Sequence, residues 1–489
     1  MTTFEELRTS KIQKLKTLKE KGINPYPYQY SRTHTASEIK RKFNGLQNGE
    51  ESNEQAKICG KIMSIRGFGK LAFLDMWDDT GKIQVQLKAG VTPAEGFELI
   101  EMLDAGDYGF AEGKIIRTQR GEISILAEKI GILGKSIAPL PDKWHGLSDI
   151  EARYRQRYLD LLMNPEVKRV FVGRSKITQA VRRVLDRQGF VEVEIPTLQT
   201  QYGGANARPF TTQSNALDQE LYLSISPELY LKRLTIGNME KVYTIGKNFR
   251  NEDIDKTHNP EFTSMECYWA YADYHDMMKL TEEIYREACM AVHGNERFTY
   301  QGVDFDLGEK WERLPMKKAI KKYADIDVDQ LSDDELLKEI AKTGNKMENP
   351  KIRGLIINEL FEAVAEKHLT QPTHLTDYPY ETTPLCKEHR TEKGFIERFE
   401  SFINGWEISN AYSELNDALK QRELLEKQAK EGRAKGEEMP VDEDFILAME
   451  YGMPPTGGLG IGIDRMVMLL LDQPTIRDVL FFPQMRNIK

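Results

Sequence analysis

The sequence predicts an α+β protein in two folding units, a small barrel of strands followed by a larger unit that mixes strand pairs with amphipathic helices. Three observations carry this. From Gln55 to Ala127 the chain runs in short alternating segments separated by glycine-bearing turns, the pattern of small β-barrels. Further on, Phe262 to Trp269 alternates cleanly, and Asn404-Gly405 sits inside another strand-like stretch as the strongest short hairpin signal. Helical stride marks segments around these strands, notably Val170 to Arg187 and Ile356 to Lys367.

The bulk properties narrow the class. With 489 residues, 40% hydrophobic and 30% charged, the chain can build two to four domains with packed cores. It has no apolar run long enough to span a bilayer. Met1-Thr2-Thr3-Phe4-Glu5-Glu6 lacks the basic-then-apolar layout of a secretory signal, so a cytoplasmic protein is expected. The 4 cysteines, Cys59, Cys267, Cys289 and Cys386, are scattered and indicate neither a zinc ribbon nor a disulfide framework. A net charge of -9 argues against nucleic acid binding by the whole surface, but Lys11, Lys14, Lys16, Lys19 and Lys21 crowd one segment. Any RNA contact would therefore use local patches and be sensitive to salt.

In chain order, Phe4 to about Lys21 reads as an amphipathic helix with Ile12, Leu15 and Leu18 on one side, lysines over the rest, and Gly22 and Pro25 ending it. The lysine surface suits either solvation or phosphate contact. Strands follow at 56–62, 71–77, 82–86, 108–115 and 122–127, with turns at Asp79-Thr80-Gly81 and Gln119-Arg120-Gly121. Five strands with glycine at the bends fit an OB-fold, a barrel that commonly binds single-stranded nucleic acid on one face. Residues 1–140 are thus expected to form the first domain. The aperiodic Leu140-Pro141-Asp142-Lys143-Trp144-His145-Gly146 opens a linker over 141–152, and 153–489 form the second domain.

In that second domain, the helix ending near Arg187 leads into Gly189 to Leu198, an alternating strand ended by Pro196. The paired glycines of Tyr202-Gly203-Gly204 suit either a close backbone approach to a ligand or a simple turn. Glu228 opens the helix that follows Ser226-Pro227. Gly246 to Glu252 and His258 to Trp269 then read as two strands joined by a polar loop. Thr263, Met265, Cys267 and Trp269 face the core, while Phe262, Ser264, Glu266 and Tyr268 share the other face with Arg250 nearby. A guanidinium fork for phosphate or carboxylate, a ring for a base and a carboxylate for an amine make a cradle for a nucleotide beside an amine-bearing substrate.

Residues 315–370 give charged amphipathic helices, an insertion without evident chemistry, and 417–430 give another helix with a solvated face. In the hairpin around Asn404-Gly405, Phe402 pairs with Glu407, which puts Glu400 diagonal to Glu407 on one face. Two adjacent carboxylates repel unless a cation lies between them, so a Mg2+ site bridging to phosphate is expected. The run Thr456-Gly457-Gly458-Leu459-Gly460-Ile461-Gly462-Ile463-Asp464-Arg465 is a glycine-rich strand-to-helix turn that offers Arg465 to a phosphate. It lacks the context of a Walker loop or a dinucleotide fingerprint.

Phe249-Arg250-Asn251-Glu252 with His258-Asn259-Pro260-Glu261-Phe262, and the run that ends in Arg465, resemble the second and third signature motifs of class II aminoacyl-tRNA synthetases. With the flanking segments, the chain from about residue 4 to 489 is similar to class II lysyl-tRNA synthetases of the bacterial kind. The resemblance implies a class II catalytic domain on an antiparallel sheet flanked by helices. Gly189 to Leu198 resembles the first motif, which implies a homodimer. The resemblance further implies ATP contacts by Arg250, Glu252, His258, Asn259, Phe262 and Arg465, with Arg250, Glu252 and Arg465 catalytic. Lysine would be held by Gly204, Glu228, Arg250, Glu266, Tyr268, Asn410, Tyr412 and Glu414, and Mg2+ by Glu400 and Glu407. It also implies an anticodon read by Phe73, by stacking, and by Gln84 and Glu122, by hydrogen bonds.

Strict alternation, however, sets Asn410, Tyr412 and Glu414 on the strand face opposite Glu407. Either a bulge near Ser409 re-aims the strand, or one of the two sets is misassigned. The implied reaction is formation of lysyl-adenylate from lysine and ATP, followed by transfer to tRNA. An aspartyl- or asparaginyl-tRNA synthetase would need cationic or amide-donor groups where this chain offers carboxylates. An RNA-binding protein with a decayed catalytic domain would not need Arg250, Glu400, Glu407 and Arg465 intact, and an enzyme lysylating protein would not need the barrel.

Overall fold

The computed structural model describes residues 3–67, 69–141, 147–345, 347, 352–434 and 441–487. It divides into two compact units, Met1–Gly146 and Leu147–Lys489. Residues 1–2 of the N-terminal segment and 142–146 of the expected linker lie outside the described residues.

The first unit holds α1 (Phe4–Glu20), α2 (Ala36–Lys42), β1 (Glu51–Arg66), β2 (Leu71–Trp77), β3 (Lys82–Lys88), α3 (Ala94–Met102), β4 (Tyr108–Arg117) and β5 (Ile123–Gly134). The strands close into a barrel in the order β1-β2-β3-β5-β4. Strict alternation makes this possible: Leu74, Met76, Ile83, Val85, Leu87 and Ile125 fill the interior, joined by Leu18 of α1 and Ile39 of α2. Their sequence neighbours Phe73, Asp75, Trp77 and Gln84 therefore take the outer face, partly exposed. Of the crowded lysines, Lys16 and Lys19 stay exposed as expected, but the others find partners. Lys11 is buried and donates to the Ala105 carbonyl at 2.8 Å, while Lys14 pairs with Asp104 at 2.8 Å and Lys21 with Glu98 at 3.0 Å. Glu98 of α3 and Asp104 just after it supply carboxylates that a reading of α1 alone could not assign to it.

The second unit begins with α4 (Ile150–Arg155), α5 (Arg157–Met163), α6 (Pro165–Arg187), β6 (Val191–Glu192), β7 (Leu198–Gln199), β8 (Thr211–Ser214) and β9 (Gln219–Leu223). Next come α7 (Glu228–Ile236), β10 (Lys241–Phe249), β11 (Glu261–Ala270), α8 (Tyr274–His293), β12 (Arg297–Tyr300), β13 (Val303–Asp306) and β14 (Glu312–Pro315). The insertion contributes α9 (Met316–Ala324), α10 (Asp333–Lys342) and α11 (Arg353–Val364). The chain closes with β15 (Thr373–Pro379), β16 (Phe395–Ile403), β17 (Trp406–Ser413), α12 (Ala418–Ala434), α13 (Glu443–Glu450), β18 (Thr456–Gly462), α14 (Ile463–Leu470) and α15 (Ile476–Val479).

Eight of these strands form one sheet in the order β14-β15-β16-β17-β18-β11-β10-β6, antiparallel except at its two ends. One face packs on α6, α8 and α14 through Ile177, Val181, Met265, Cys267, Met277, Ile284, Leu459 and Met466. On the opposite face the insertion helices pack over β15 and β16 through Ile320, Ile356, Leu375 and Phe402, and α7 packs over β10 and β11 through Leu231, Val242 and Tyr268. The strand expected over 189–198 is reduced to two pieces, because only Val191 and Glu192 reach the partner strand β10 at the sheet edge. The helix expected to be solvated, α12, buries Gln421 and Ala429 and sets Leu425 and Gln428 against the cavity described below.

Candidate active site

Each functional side chain takes its place from strand alternation plus one irregularity. In β11, Met265 and Cys267 go to the core, so Phe262, Ser264, Glu266 and Tyr268 face a cavity of about 580 Å³. The neighbouring β18 is nearly side-chain-free on that face, and its Gly458 lies opposite both Tyr268 of β11 and Tyr412 of β17. A Cβ there would meet Tyr268 Cε1 at 2.7 Å and overlap Glu414 Oε1. Glycine is what allows those two side chains to close over the strand.

The irregularity lies in β17. Asn404 and Gly405 both adopt left-handed φ, 57° and 69°, as a two-residue turn requires. Phe402 pairs with Glu407, but the next pair is Ser401 with Ser409, so Ile408 is an extra residue. This bulge turns both Ile408 and Ser409 into the protein and brings Glu407, Asn410, Tyr412 and Glu414 to the same cavity. Of the two alternatives open in the sequence, the bulge is the one realised. Buried polar contacts hold it. Ser409 Oγ donates to Ser401 Oγ at 2.7 Å, Ser401 Oγ meets His374 Nδ1 at 2.8 Å, and Tyr285 donates to the Ile408 carbonyl at 3.0 Å.

Two arginines line the cavity. Arg250, at the end of β10, sets its guanidinium 5.1 Å from the Phe262 ring centroid, and its buried Nε has no hydrogen-bond partner. Arg465, in the first turn of α14, donates to the Glu407 carbonyl at 2.8 Å, lies 3.4 Å from Glu407 Oε2, and meets His258 Nε2 at 3.1 Å. The loop bearing His258 is tied by Asp255, whose Oδ2 meets His258 Nδ1 at 2.8 Å. Asn259 is buried with an unpartnered Oδ1. Glu252 accepts from the Arg208 amide at 3.2 Å and so secures the loop that carries Gly204.

Carboxylates line it as well. Gly204 has φ 84°, and a Cβ there would press on Glu228 Cβ at 3.0 Å. Glu228 Oε2 accepts from the Tyr412 hydroxyl at 3.2 Å, and Ser226 Oγ lies 3.4 Å from both Glu266 oxygens. Burial and the repulsion of Glu228, partly offset by Arg250, push Glu266 up to about 8. Burial likewise raises Glu414. Glu400 accepts from Tyr378 at 2.6 Å and from Arg398 at 2.5 Å. Its pKa is raised by burial, with the nearby Glu407 adding to the shift against Arg398.

All the residues expected to serve ATP, lysine and the metal therefore line one cavity. Phe73, Gln84 and Glu122 lie on the barrel instead. Asp75 pairs with Gln84 across β2 and β3, two residues from Phe73, and Gln84 pairs with Ser124, two residues from Glu122. Reading of the sequence missed Ser226, Lys232, Arg398, Gly458 and Asp464. Two of these had a local signal. Lys232 follows Glu228 by four residues on a helix, and Arg398 shares a strand face with Glu400. Asp464 had none: its Oδ2 accepts from the Thr263 amide at 2.7 Å and its Oδ1 from Arg174 at 2.5 Å, contacts between segments far apart in the chain.

Comparison with known proteins identifies the family. Residues 149–486 match the family model of class II tRNA synthetases (D, K and N), and residues 56–133 match an OB-fold nucleic acid binding domain. The chain is 49% identical to the lysine–tRNA ligase of Thermosynechococcus vestitus, across 99% of this chain and 97% of that protein. It is 49% identical to the enzyme of Pelotomaculum thermopropionicum, across 99% and 95%. With the enzyme of Moorella thermoacetica it shares 48% identity, across 98% of each. The match runs over nearly the full length of this chain and of these relatives, and the chain belongs to the lysine–tRNA ligase family of class II synthetases.

Proposed function

We infer that the cavity seats ATP and lysine side by side and joins them as lysyl-adenylate, and that the lysyl group then passes to tRNA. One observation carries this reading: a single cavity is lined both by Arg250 and Arg465 and by Glu228, Glu266 and Glu414. A triphosphate requires the first arrangement and a diamine the second.

In the first step a carboxylate oxygen of lysine attacks the α-phosphorus of ATP, the bond to the β-phosphate breaks, and diphosphate leaves. In the second, the terminal ribose hydroxyl of tRNA attacks the acyl carbon and AMP leaves. No protein nucleophile is required, so the rate comes from alignment and charge stabilisation. Arg250, otherwise unpartnered at Nε, clamps the carboxylate and the α-phosphate together. Arg465 and His258 address the tail phosphates, adenine lies between Phe262 and Arg465, and Glu252 with Asn259 holds the loop around the nucleotide. Glu228 and Glu266 take the α-ammonium, Glu414 and Tyr268 the ε-ammonium, and Asn410 and Tyr412 complete the wall.

Glu400 and Glu407 would hold Mg2+, which neutralises phosphate charge when bound. The donor set fits: Glu400 and Glu407 line the same cavity and lie near enough for Glu407 to raise the Glu400 pKa, and Mg2+ commonly binds through two carboxylates with substrate phosphate and water completing its shell. The outer barrel face with Phe73, Gln84 and Glu122 suits the anticodon. Exposed Val172, Val191 and Leu198 around α6 and the sheet edge suit burial against a second copy of the chain, and a homodimer is proposed. No described helix is long and apolar enough to cross a membrane, and a cytoplasmic location is proposed.

Diphosphate–ATP exchange, measured with each standard amino acid in turn, tests the reading. Exchange should depend on lysine. Exchange driven by aspartate or asparagine, or by none of the amino acids, would overturn it.

A further inference from the structure

Beside the acidic residues of the cavity lies a cation that the proposed reaction does not use. Lys232 is fully buried in α7 and does not line the cavity. Its Nζ is 2.5 Å from Glu228 Oε1 and 2.5 Å from Glu414 Oε2. It also lies 5.9 Å from the ring centroids of Tyr268 and Tyr412. One ammonium outside the cavity lining therefore bridges the two carboxylates assigned to the two ammonium groups of lysine. We propose that Lys232 is a specificity-determining positioning residue, which fixes Glu228 and Glu414 at the separation and charge that match a diamine. The inference rests on the lysine-pocket assignment above.

Three lines of argument support it. The first is geometric. Glu228 and Lys232 share a helix, whereas Glu414 follows β17 and is hydrogen-bonded through its amide to Thr456 at 2.8 Å. Lys232 is the link that makes the spacing of the two carboxylates independent of the ligand. The second is charge. Glu228, Glu266 and Glu414 repel one another, and Lys232 and Arg250 offset that repulsion. Lysine brings two further ammonium groups to the same cluster. Without Lys232 the pocket would be over-acidic for its ligand, and buried carboxylates in excess take up protons instead. The third is protonation. Burial alone would lower the Lys232 pKa, but Glu228 and Glu414 outweigh it and keep the ammonium charged. The remaining titratable groups facing this cluster are Tyr268 and Tyr412, both held neutral by burial and by the carboxylates, and Cys386, raised by burial beside Glu414.

The test compares lysine-dependent diphosphate exchange in the wild type, Lys232→Met and Lys232→Arg. In Lys232→Met the KM for lysine should rise at least about 50-fold, while the KM for ATP and the rate at saturating lysine change less than about fivefold. The acid limb of kcat/KM for lysine should also move up by about one pH unit or more, because the carboxylates lose the cation that favours their charged form. Lys232→Arg, which keeps the charge, should recover most of the affinity. If the methionine variant does not fold, Lys232→Gln, polar but uncharged, carries the same comparison. An unchanged lysine KM with an unmoved acid limb, or an equal loss in KM for ATP and lysine, would overturn the proposal. Glu414→Gln, assayed alongside, separates the two failures. If it raises the lysine KM and the Lys232 variants do not, only the role of Lys232 falls. If Glu414→Gln is itself without effect, the pocket assignment falls as well.

Discussion

Replacing Gly458 by alanine tests the site through a single methyl group. A Cβ at this position would lie 2.7 Å from Tyr268 Cε1 and would overlap Glu414 Oε1. Ordinary carbon contacts begin near 3.5 Å, so the tyrosine must retreat by roughly 0.8 Å and the carboxylate by more. Neither has easy room. Tyr268 is 3% exposed and packs with Leu231 and Val242, and Glu414 is held at 2.5 Å by Lys232. The displacement thus falls on the groups assigned to the ε-ammonium, about 1 Å from their productive positions, a misplacement that costs on the order of 100-fold in rate. Steady-state diphosphate exchange is the assay, with lysine and ATP varied separately. The expected result is a loss of about 100-fold in kcat/KM for lysine, with the KM for ATP nearly unchanged because Arg250, Phe262 and Arg465 are not touched. Wild-type kcat/KM for lysine in a folded Gly458→Ala enzyme would refute the reasoning, since it would mean that the pocket does not need this close approach.

Other outcomes follow from the same structure. Glu414→Gln removes one buried charge without changing shape and should raise the KM for lysine by roughly 10- to 100-fold, the worth of about 1.5–3 kcal/mol for a charge-assisted hydrogen bond. Lysine affinity should improve as pH rises from about 6.5 to 8.5. The sign follows from Glu266, which is pushed up to about 8 and is therefore largely protonated in the empty pocket below that pH, while an ammonium ligand selects the ionised form; a flat lysine KM over this interval would contradict it. Ser401→Ala leaves Ser409 Oγ and His374 Nδ1 without their shared partner in the core, and should lower the unfolding free energy by about 1–3 kcal/mol in denaturant titration. Phe73→Ala should weaken charging of tRNA with lysine activation intact, measured as aminoacylation against exchange; loss of both would remove Phe73 from an RNA-contacting role.

Much of this protein was legible in one dimension because the signals were local. Period-two alternation marked the barrel strands and assigned the two faces of β11, since successive side chains on a strand must point opposite ways. Asn404-Gly405 announced its hairpin because both residues tolerate left-handed φ. The glycine-rich run ending at Arg465 and the Phe249–Phe262 segment marked the cavity before any coordinates. What alternation could not supply was the extra residue at Ile408. A bulge is stabilised by contacts from other elements, here His374 on β15 and Tyr285 on α8, and no local pattern encodes them. The same holds for Lys232, whose charge has a function only because folding brings Glu414 from nearly two hundred residues away to meet it. The sequence by itself determined the two faces of a regular strand such as β11. Tertiary structure alone decided which buried charges meet, because the energy of an ion pair depends on a separation of a few ångströms that chain order does not specify.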